Sequence, residues 1–448
     1  MLESVSVAVL PRAPGPSALS PAGILRQVRD PLGYWTDVAR EYGPVARLPF
    51  DRPPAYLLGG PEEIGQVHLR TGKEFDKGYE DDPLYPLLGN GLVNSEGEFW
   101  RRQRRLVQPA FHRERIDAYA RTMVSRTERM LGGWREGERR DAHEEMMRLT
   151  LGIVAETLFG VEIEGEAGAV GRAISEGIDE AERESRRVVR LPAWVPMAGR
   201  GRLRRAVEAL DRVVLRIIAE RRIEGKDRGD LLSMLLAAQD EDGAGMTDRQ
   251  LRDEAMTLFI AGHETTALAL TWTWALLSRH AAVEEALLAE LREVLDGRSP
   301  TVADVRGLRY AEAVIKESMR LYPPIPVVAR RANRDVEIGG YLVPSGTQLV
   351  MCPWIVQRDA RYFPAPETFD PSRWLGDATE GLPKFAYFPF GGGPRKCIGT
   401  AFAMVEATLL LATIAQKFRL QADGPVVPEA SIVTVRPRHG VPVRLISR

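Results

Sequence analysis

Two cysteines, Cys352 and Cys397, are all that 448 residues carry. That number cannot build a disulfide framework, and their spacing excludes a CxxC zinc site. Histidine is nearly as scarce, with six residues and no pair at i, i+4 to complete a zinc-ligand set on a helix. Near the start the apolar run Val5 to Leu10 is stopped by Pro11, Pro14, Gly15 and Pro16. It has no basic region before it and is far short of the roughly 20 residues that span a bilayer, so neither an anchor nor a secretion leader is expected. With so little cysteine, a reducing cytoplasm is the expected compartment. An excess of either charge is also missing. The 61 Lys and Arg balance 62 Asp and Glu to a net charge of -1, which removes the global electrostatic reason to expect nucleic acid or an anionic membrane as partner. Lysine is rare and arginine abundant, a bias that carries no functional information by itself. No repeat of 20–50 residues and no low-complexity segment interrupts the chain.

What is present is a globular balance, 44% hydrophobic and 27% charged, in a length that suits either one large enzyme domain or about three average ones. Helical apolar spacing runs through 113–134, 142–159, 201–223, 247–280, 283–295 and 308–321. Segments that read as strands gather at 44–59, 336–352 and 431–445, the last two rich in Val and Ile with Gly or Pro between them. The expected fold class is mainly α with a minor β subdomain assembled from distant segments.

Two places break local rules, and function is sought there. The helix that follows Met246 has a legible start, because Thr247 can cap it and Gln250 can reach back as a capping box. Its middle reads Ala261-Gly262-His263-Glu264-Thr265-Thr266, which puts glycine, an acid and two hydroxyls into an apolar helix, the glycine at a cost of about 1 kcal/mol relative to alanine. The second place is Phe388-Pro-Phe390-Gly-Gly-Gly393-Pro-Arg395-Lys396-Cys397-Ile-Gly399, followed by the apolar-periodic stretch 401–418. Glycines let the backbone turn, and a cysteine at a helix start is favoured as thiolate. Such a thiolate is a metal ligand or a nucleophile. A nucleophile needs a base, and none of the six histidines has a spacing that marks it as one. One sulfur with no evident co-ligands points to a cofactor that brings its other ligands itself, as haem does, and Arg395 stands close enough in sequence to meet a propionate. Cys352, between Met351 and Pro353, reads as a small buried hydrophobe.

The second segment resembles the signature Phe-x-x-Gly-x-Arg-x-Cys-x-Gly of the cytochrome P450 superfamily, complete here as Phe390, Gly393, Arg395, Cys397 and Gly399. Three more patterns follow the order of that family. Ala261-Gly262-x-Glu264-Thr265-Thr266 is similar to its oxygen-activating helix segment, Glu317-Ser-Met-Arg320 to its Glu-x-x-Arg, and Phe369-Asp-Pro-Ser-Arg373-Trp374 to the segment that supplies a second arginine. Upstream, Trp100-x-x-x-Arg104 resembles the helix that contacts a haem propionate.

The resemblance implies a cytochrome P450 fold, a triangular helical haem domain over 26–448 after an N-terminal extension, 1–25, without a membrane anchor. It implies haem b bound through Cys397 as the metal ligand, with Trp100, Arg104, Arg330, Arg395, Phe390, Gly399 and Ala261 around the cofactor. Glu264 and Thr265 would form a proton relay, with Gly262 making room for oxygen. Glu317, Arg320 and Arg373 would form a buried cluster that holds the cysteine loop and takes no part in catalysis. By position, Phe259, Ala261, Val327 and Val328 would line the substrate cavity, with Tyr79–Val93 and Arg190–Ala198 as loops over it. These residues are apolar, so a lipophilic substrate is expected: terpenoid, fatty acid, steroid, carotenoid or polyketide. No GxGxxG follows a strand-like segment, so a fused reductase is not expected. Electrons would come from a ferredoxin or flavodoxin with its NAD(P)H reductase, with Arg101, Arg102, Arg105 and Lys396 as a docking patch. The implied reaction inserts one oxygen atom of O2 into the substrate by hydroxylation or epoxidation. A peroxygenase or isomerase without an electron donor, or a haem-binding sensor without turnover, are the alternatives.

Overall fold

The computed structural model describes residues 10–16, 21–51, 53–78, 84–161, 167–185, 198–239, 243, 245–377, 379–430 and 433–448. Most of the run Val5 to Leu10, the first part of the 79–93 loop and all but the last residue of the 190–198 loop lie outside the described residues. In chain order the first elements are α1 (Pro21–Arg29), α2 (Pro31–Tyr42), β1 (Val45–Asp51), β2 (Pro54–Leu58), α3 (Pro61–Arg70), β3 (Phe75–Asp76), α4 (Tyr85–Leu88) and α5 (Gly97–Val107). The central stretch holds α6 (Arg113–Gly132), β4 (Arg139–Asp141), α7 (Ala142–Phe159), α8 (Ala167–Ser185), α9 (Ala198–Glu224), α10 (Leu231–Ala237), α11 (Asp248–Leu277), α12 (Ala281–Leu295) and α13 (Arg309–Leu321). The remainder is β5 (Val328–Ala332), β6 (Val336–Ile338), β7 (Tyr341–Val343), β8 (Gln348–Met351), α14 (Pro353–Val356), α15 (Thr400–Lys417), β9 (Phe418–Ala422), β10 (Pro428–Ala430), β11 (Val435–Pro437) and β12 (Pro442–Ser447). No helix among the described residues is long and apolar enough to cross a membrane.

The chain gathers into two compact units. The first comprises 1–78, 325–368 and 381–397. Its five-stranded sheet has the order β1-β2-β8-β5-β3, with β2 parallel to β8 and the other neighbours antiparallel. One sheet face packs Tyr56, Leu58, Leu349 and Met351 with Ile64 and Val67 of α3 and with Phe385 and Phe388. Alternation along a strand sends neighbouring residues to opposite faces, so Arg330 and Arg331 of β5 part company. Arg331 pairs with Asp76 at 3.2 Å, whereas Arg330 is buried. The charged sequence Val-Ala-Arg-Arg-Ala hides β5 from a reading by apolar pattern.

The second unit comprises 79–324, 369–380 and 398–448. Its axis is α11, which packs against α7, α9, α13 and α15. From Thr266 to Leu277 α11 carries no charge and is nearly all buried, as suits a helix in an interior. It starts with the expected capping box: Gln250 N–H donates to Thr247 Oγ1 at 3.2 Å, and Thr247 N–H donates to Gln250 Oε1 at 2.8 Å. Near its other end Trp272 donates through Nε1 to the Val435 carbonyl at 2.9 Å and stacks on Tyr322 at 4.2 Å between centroids. Two small sheets, β4-β12-β9 and β10-β11, complete this unit.

Candidate active site

Between Leu251 and Ala275 of α11 every residue is buried except Ile260, Ala261, Gly262 and Thr265. Ala261 is exposed and the other three are half-buried, so an interior helix is accessible along a single turn. Phe259, expected in the cavity wall, lies one residue away and faces the interior. Its ring meets Phe159 of α7 at 5.3 Å, beside a cavity of only about 20 Å³ lined also by Ile174, Ile217 and Met256. One residue is a rotation of about 100° on a helix, which is enough to exchange core for surface. Gly262 has an immediate packing reason to lack a side chain, because a Cβ there would come to 3.1 Å from Val154 of α7.

Thr265 donates its hydroxyl to the Ala261 carbonyl at 2.8 Å, the usual bond of a hydroxyl inside a helix. Glu264 is buried and engaged elsewhere. It accepts from Arg436 Nη2 at 2.7 Å and Nε at 2.9 Å, and from Thr434 Oγ1 at 3.0 Å, while Arg436 Nη1 reaches Asp179 of α8 at 3.0 Å. Arg436 and Thr434 escaped the sequence reading, since nothing near them in the chain marks a partner for position 264.

In the first unit the glycine-rich segment folds as a tight turn ending at Cys397. Lys396 N–H donates to the Gly393 carbonyl at 3.2 Å, and Cys397 N–H donates to the Phe390 carbonyl at 3.0 Å. Gly393 has φ +62, and a Cβ there would stand 2.0 Å from the His68 carbonyl oxygen, so α3 and the turn touch backbone to backbone. The turn leaves Cys397 exposed and Arg395 half-buried. Cys352 contrasts with it, as a buried thiol donating to the Pro326 carbonyl at 3.2 Å and pushed up to about 12 by burial. His68 is fully buried beneath the turn. Its ring stacks on Phe385 at 5.3 Å and meets Phe388 edge-on at 5.7 Å. Burial first, then the charge of Arg330, lower its pKa to about 3. Val327 and Val328 are half-buried, Val328 at the start of β5.

In the second unit Trp100 and Arg104 share one face of α5, the guanidinium 5.9 Å from the indole centroid, while Arg101 and Arg105 are exposed. Gly399 occupies the N-cap position of α15. Glu317, Arg320 and Arg373 come together. Arg320 donates to Glu317 through Nη2 at 2.8 Å and Nε at 2.9 Å, and Arg373 Nε stands 3.3 Å from Glu317 Oε1. Two further donors, Trp374 Nε1 at 2.9 Å and Asp370 N–H at 3.1 Å, fill the remaining positions on the carboxylate. Trp374 stood inside the quoted segment without a role.

The family model described as Cytochrome P450 matches residues 13–440. The chain belongs to the cytochrome P450 family. Among its relatives, cyclooctatin synthase of Streptomyces melanosporofaciens is 39% identical over 413 residues, 91% of this chain and 89% of the relative. Cyclooctat-9-en-7-ol 5-monooxygenase of the same organism is 40% identical, covering 82% of this chain and 80% of the relative. Pentalenene oxygenase of Streptomyces avermitilis is 34% identical, covering 94% of each. The crystal structure of the haem domain of cytochrome P450DA superposes with a TM-score of 0.90 at 27% identity, covering 98% of both chains.

This P450 is a monooxygenase of a hydrophobic small molecule, and its family carries a haem-thiolate cofactor. The residues present fit that group. An exposed thiol ends a glycine turn closed by the Lys396 and Cys397 amides. The one accessible turn of α11 is apolar apart from the Thr265 hydroxyl, which suits a flat, largely apolar group better than a bare ion.

Proposed function

We propose that this P450 hydroxylates or epoxidises a terpenoid, using haem b and electrons from a separate ferredoxin or flavodoxin with its NAD(P)H reductase. What supports a hydrocarbon-like substrate of this class is that relatives matching four-fifths or more of the chain are named for cyclooctatin, cyclooctat-9-en-7-ol and pentalenene, two of them as a monooxygenase or oxygenase. The accessible face of α11, Ile260-Ala261-Gly262, agrees with it, since an apolar patch favours a hydrocarbon skeleton by about 25 cal/mol per Å² removed from water.

Cys397 would hold the haem iron, and Trp100, Arg104, Arg330 and Arg395 would bind its propionates through indole and guanidinium N–H groups. When bound, a thiolate-ligated haem supplies cleavage of O2 and insertion of one oxygen atom. The chain supplies the surroundings. Ala261 keeps a helix face low enough for a planar group and a substrate to lie against it. Thr265 has acceptor capacity left after its bond to Ala261 and can hold a water or a proton-bearing oxygen. Glu264, anchored by Arg436, is the acid nearest in sequence and would pass protons to Thr265 when Arg436 lets it turn. Val327 and Val328 would bound the substrate, and the exposed Arg101 and Arg105 with Lys396 would meet an acidic redox partner.

The test is a spectral titration of the purified haem protein with terpenoid hydrocarbons and alcohols, followed by product analysis with NADPH and a surrogate ferredoxin pair. A low-to-high-spin shift with one monooxygenated product is the expected result. Binding of fatty acids but no terpenoid would overturn the substrate class, and turnover with hydrogen peroxide but none with NADPH would overturn the partner.

A further inference from the structure

The segment between α4 and α5 is fastened to the first half of α11 through its main chain. Asn90 N–H donates to Asp253 Oδ2 at 2.9 Å, and Leu92 N–H donates to Glu254 Oε2 at 3.0 Å. Thr257 Oγ1 reaches the Leu88 carbonyl at 3.5 Å. The contact leaves no space. A Cβ on Gly91 would fall 2.2 Å from Thr257 Oγ1 and 2.4 Å from the Asp253 carbonyl oxygen, and one on Gly89 would fall 2.1 Å from Asp253 Oδ1.

The two carboxylates are costly to keep there. Asp253 is 5% and Glu254 1% exposed, and burying charge without full compensation costs several kcal/mol. Arg252 Nη1 compensates Asp253 at 3.0 Å and is itself held by Asp211 of α9 at 2.6 Å. Among the described residues Glu254 has only the Leu92 amide: its Oε1 is buried with no hydrogen-bond partner there. Burial therefore raises its pKa to about 8, with the Leu92 N–H opposing and the Asp253 charge adding. A plain apolar residue would serve the core better, so the carboxylates are explained by what they hold.

Periodicity supplies the consequence. Positions 254, 257, 261 and 265 fall at i, i+3, i+7 and i+11 and share one helix face. The clasp and the accessible turn, Ala261 to Thr265, are thus on one line, about two turns or roughly 10 Å apart. We infer that Asp253 and Glu254 are positioning residues that set substrate selectivity, by holding the 89–92 segment as a fixed boundary at one end of the accessible face of α11. This rests on the proposal that this face is the substrate side.

The haem protein is compared with Glu254→Gln, Glu254→Leu, Asp253→Asn and Asp253→Ala in two measurements. Amide hydrogen exchange should rise tenfold or more at Asn90 and Leu92 in Glu254→Leu and Asp253→Ala, with α13 and α15 unchanged. Spectral titration with clotrimazole, a bulky iron-binding azole, should then weaken at least fivefold, while imidazole, which needs no boundary, stays within twofold. Glu254→Gln should match the parent at pH 7 and lose any change in clotrimazole affinity that the parent shows between pH 7 and 9. If the parent binds imidazole but neither clotrimazole nor any terpenoid, the substrate-side reading falls and the inference with it. If the parent binds both azoles and the Leu and Ala variants exchange or bind like the parent, the positioning role alone is overturned.

Discussion

Arg436 grips the Glu264 carboxylate with two nitrogens, at 2.7 and 2.9 Å, from 172 positions away in the chain. Glu264 is 4% exposed, so without Arg436 its charge would keep, among the described residues, only the Thr434 hydroxyl. Arg436→Leu is expected to cost about 3–5 kcal/mol, the usual penalty for stranding a buried ion. Adding Glu264→Gln to that variant should recover most of the loss, since a neutral amide tolerates burial. Urea unfolding of the two single variants and the double variant measures this, and additive losses would show that the pair is not coupled.

Glu317 accepts two bonds from Arg320 and one each from Trp374 and the Asp370 amide. Both Glu317 and Arg320 are fully buried. Glu317→Ala or Arg320→Ala should therefore destabilise by about 3–5 kcal/mol and yield protein without haem. Trp374→Phe removes a single hydrogen bond to a charged group, worth about 1.5–3 kcal/mol, and should keep its haem. The ratio of haem absorbance to protein in the purified variants checks both, and full haem content in Glu317→Ala would remove the cluster from any role in cofactor retention.

What could be read from the chain beforehand was whatever is encoded locally. The capping box at Thr247 and Gln250, the glycine turn before Cys397 and the i, i+3 pair Glu317 and Arg320 are each specified within a few residues. The bonds of Glu264 to Arg436 and of Asp253 to Asn90 join elements 172 and 163 positions apart, and no spacing announces them. The opening of α11 at Ile260 and not at Phe259 has a different origin. Beyond its first turn the charged residues of α11, Arg252, Asp253, Glu254 and Glu264, are themselves buried and mark no solvent face from which its rotation can be fixed, so its buried and open sides emerge only from packing. For β5 the apolar alternation was masked by two arginines, one of which pairs with Asp76 and the other of which is buried.

His68 makes the turn before Cys397 sensitive to acid. An unfolded histidine binds a proton near pH 6.5, but burial and Arg330 hold this one down to about 3. Between those values the unfolded chain binds more protons than the folded one, so stability is complete above about pH 6.5 and falls by about 1.4 kcal/mol per pH unit toward pH 3. His68→Phe keeps the aromatic stack on Phe385 and removes the titration. From pH 7 to 4.5 the parent should lose about 2–3 kcal/mol more than this variant in urea unfolding, the carboxylates contributing alike to both. Equal losses would mean that the imidazole is protonated in the fold.

Thr265 separates a structural from a chemical use of one hydroxyl. Its bond to the Ala261 carbonyl is local and satisfies an acceptor already used by the helix, so losing it should cost less than about 1 kcal/mol. Thr265→Val, nearly the same shape, should therefore fold, bind haem and bind substrate like the parent. If the hydroxyl holds a proton in place during turnover, the same variant still consumes NADPH but releases it mostly as hydrogen peroxide, with product per NADPH falling tenfold or more. Thr265→Ser restores the hydroxyl and should restore most of the coupling. Product and peroxide measured against NADPH in the three proteins decide the matter: coupling unchanged in Thr265→Val would leave the residue only its bond to Ala261 and move the proton delivery elsewhere on α11.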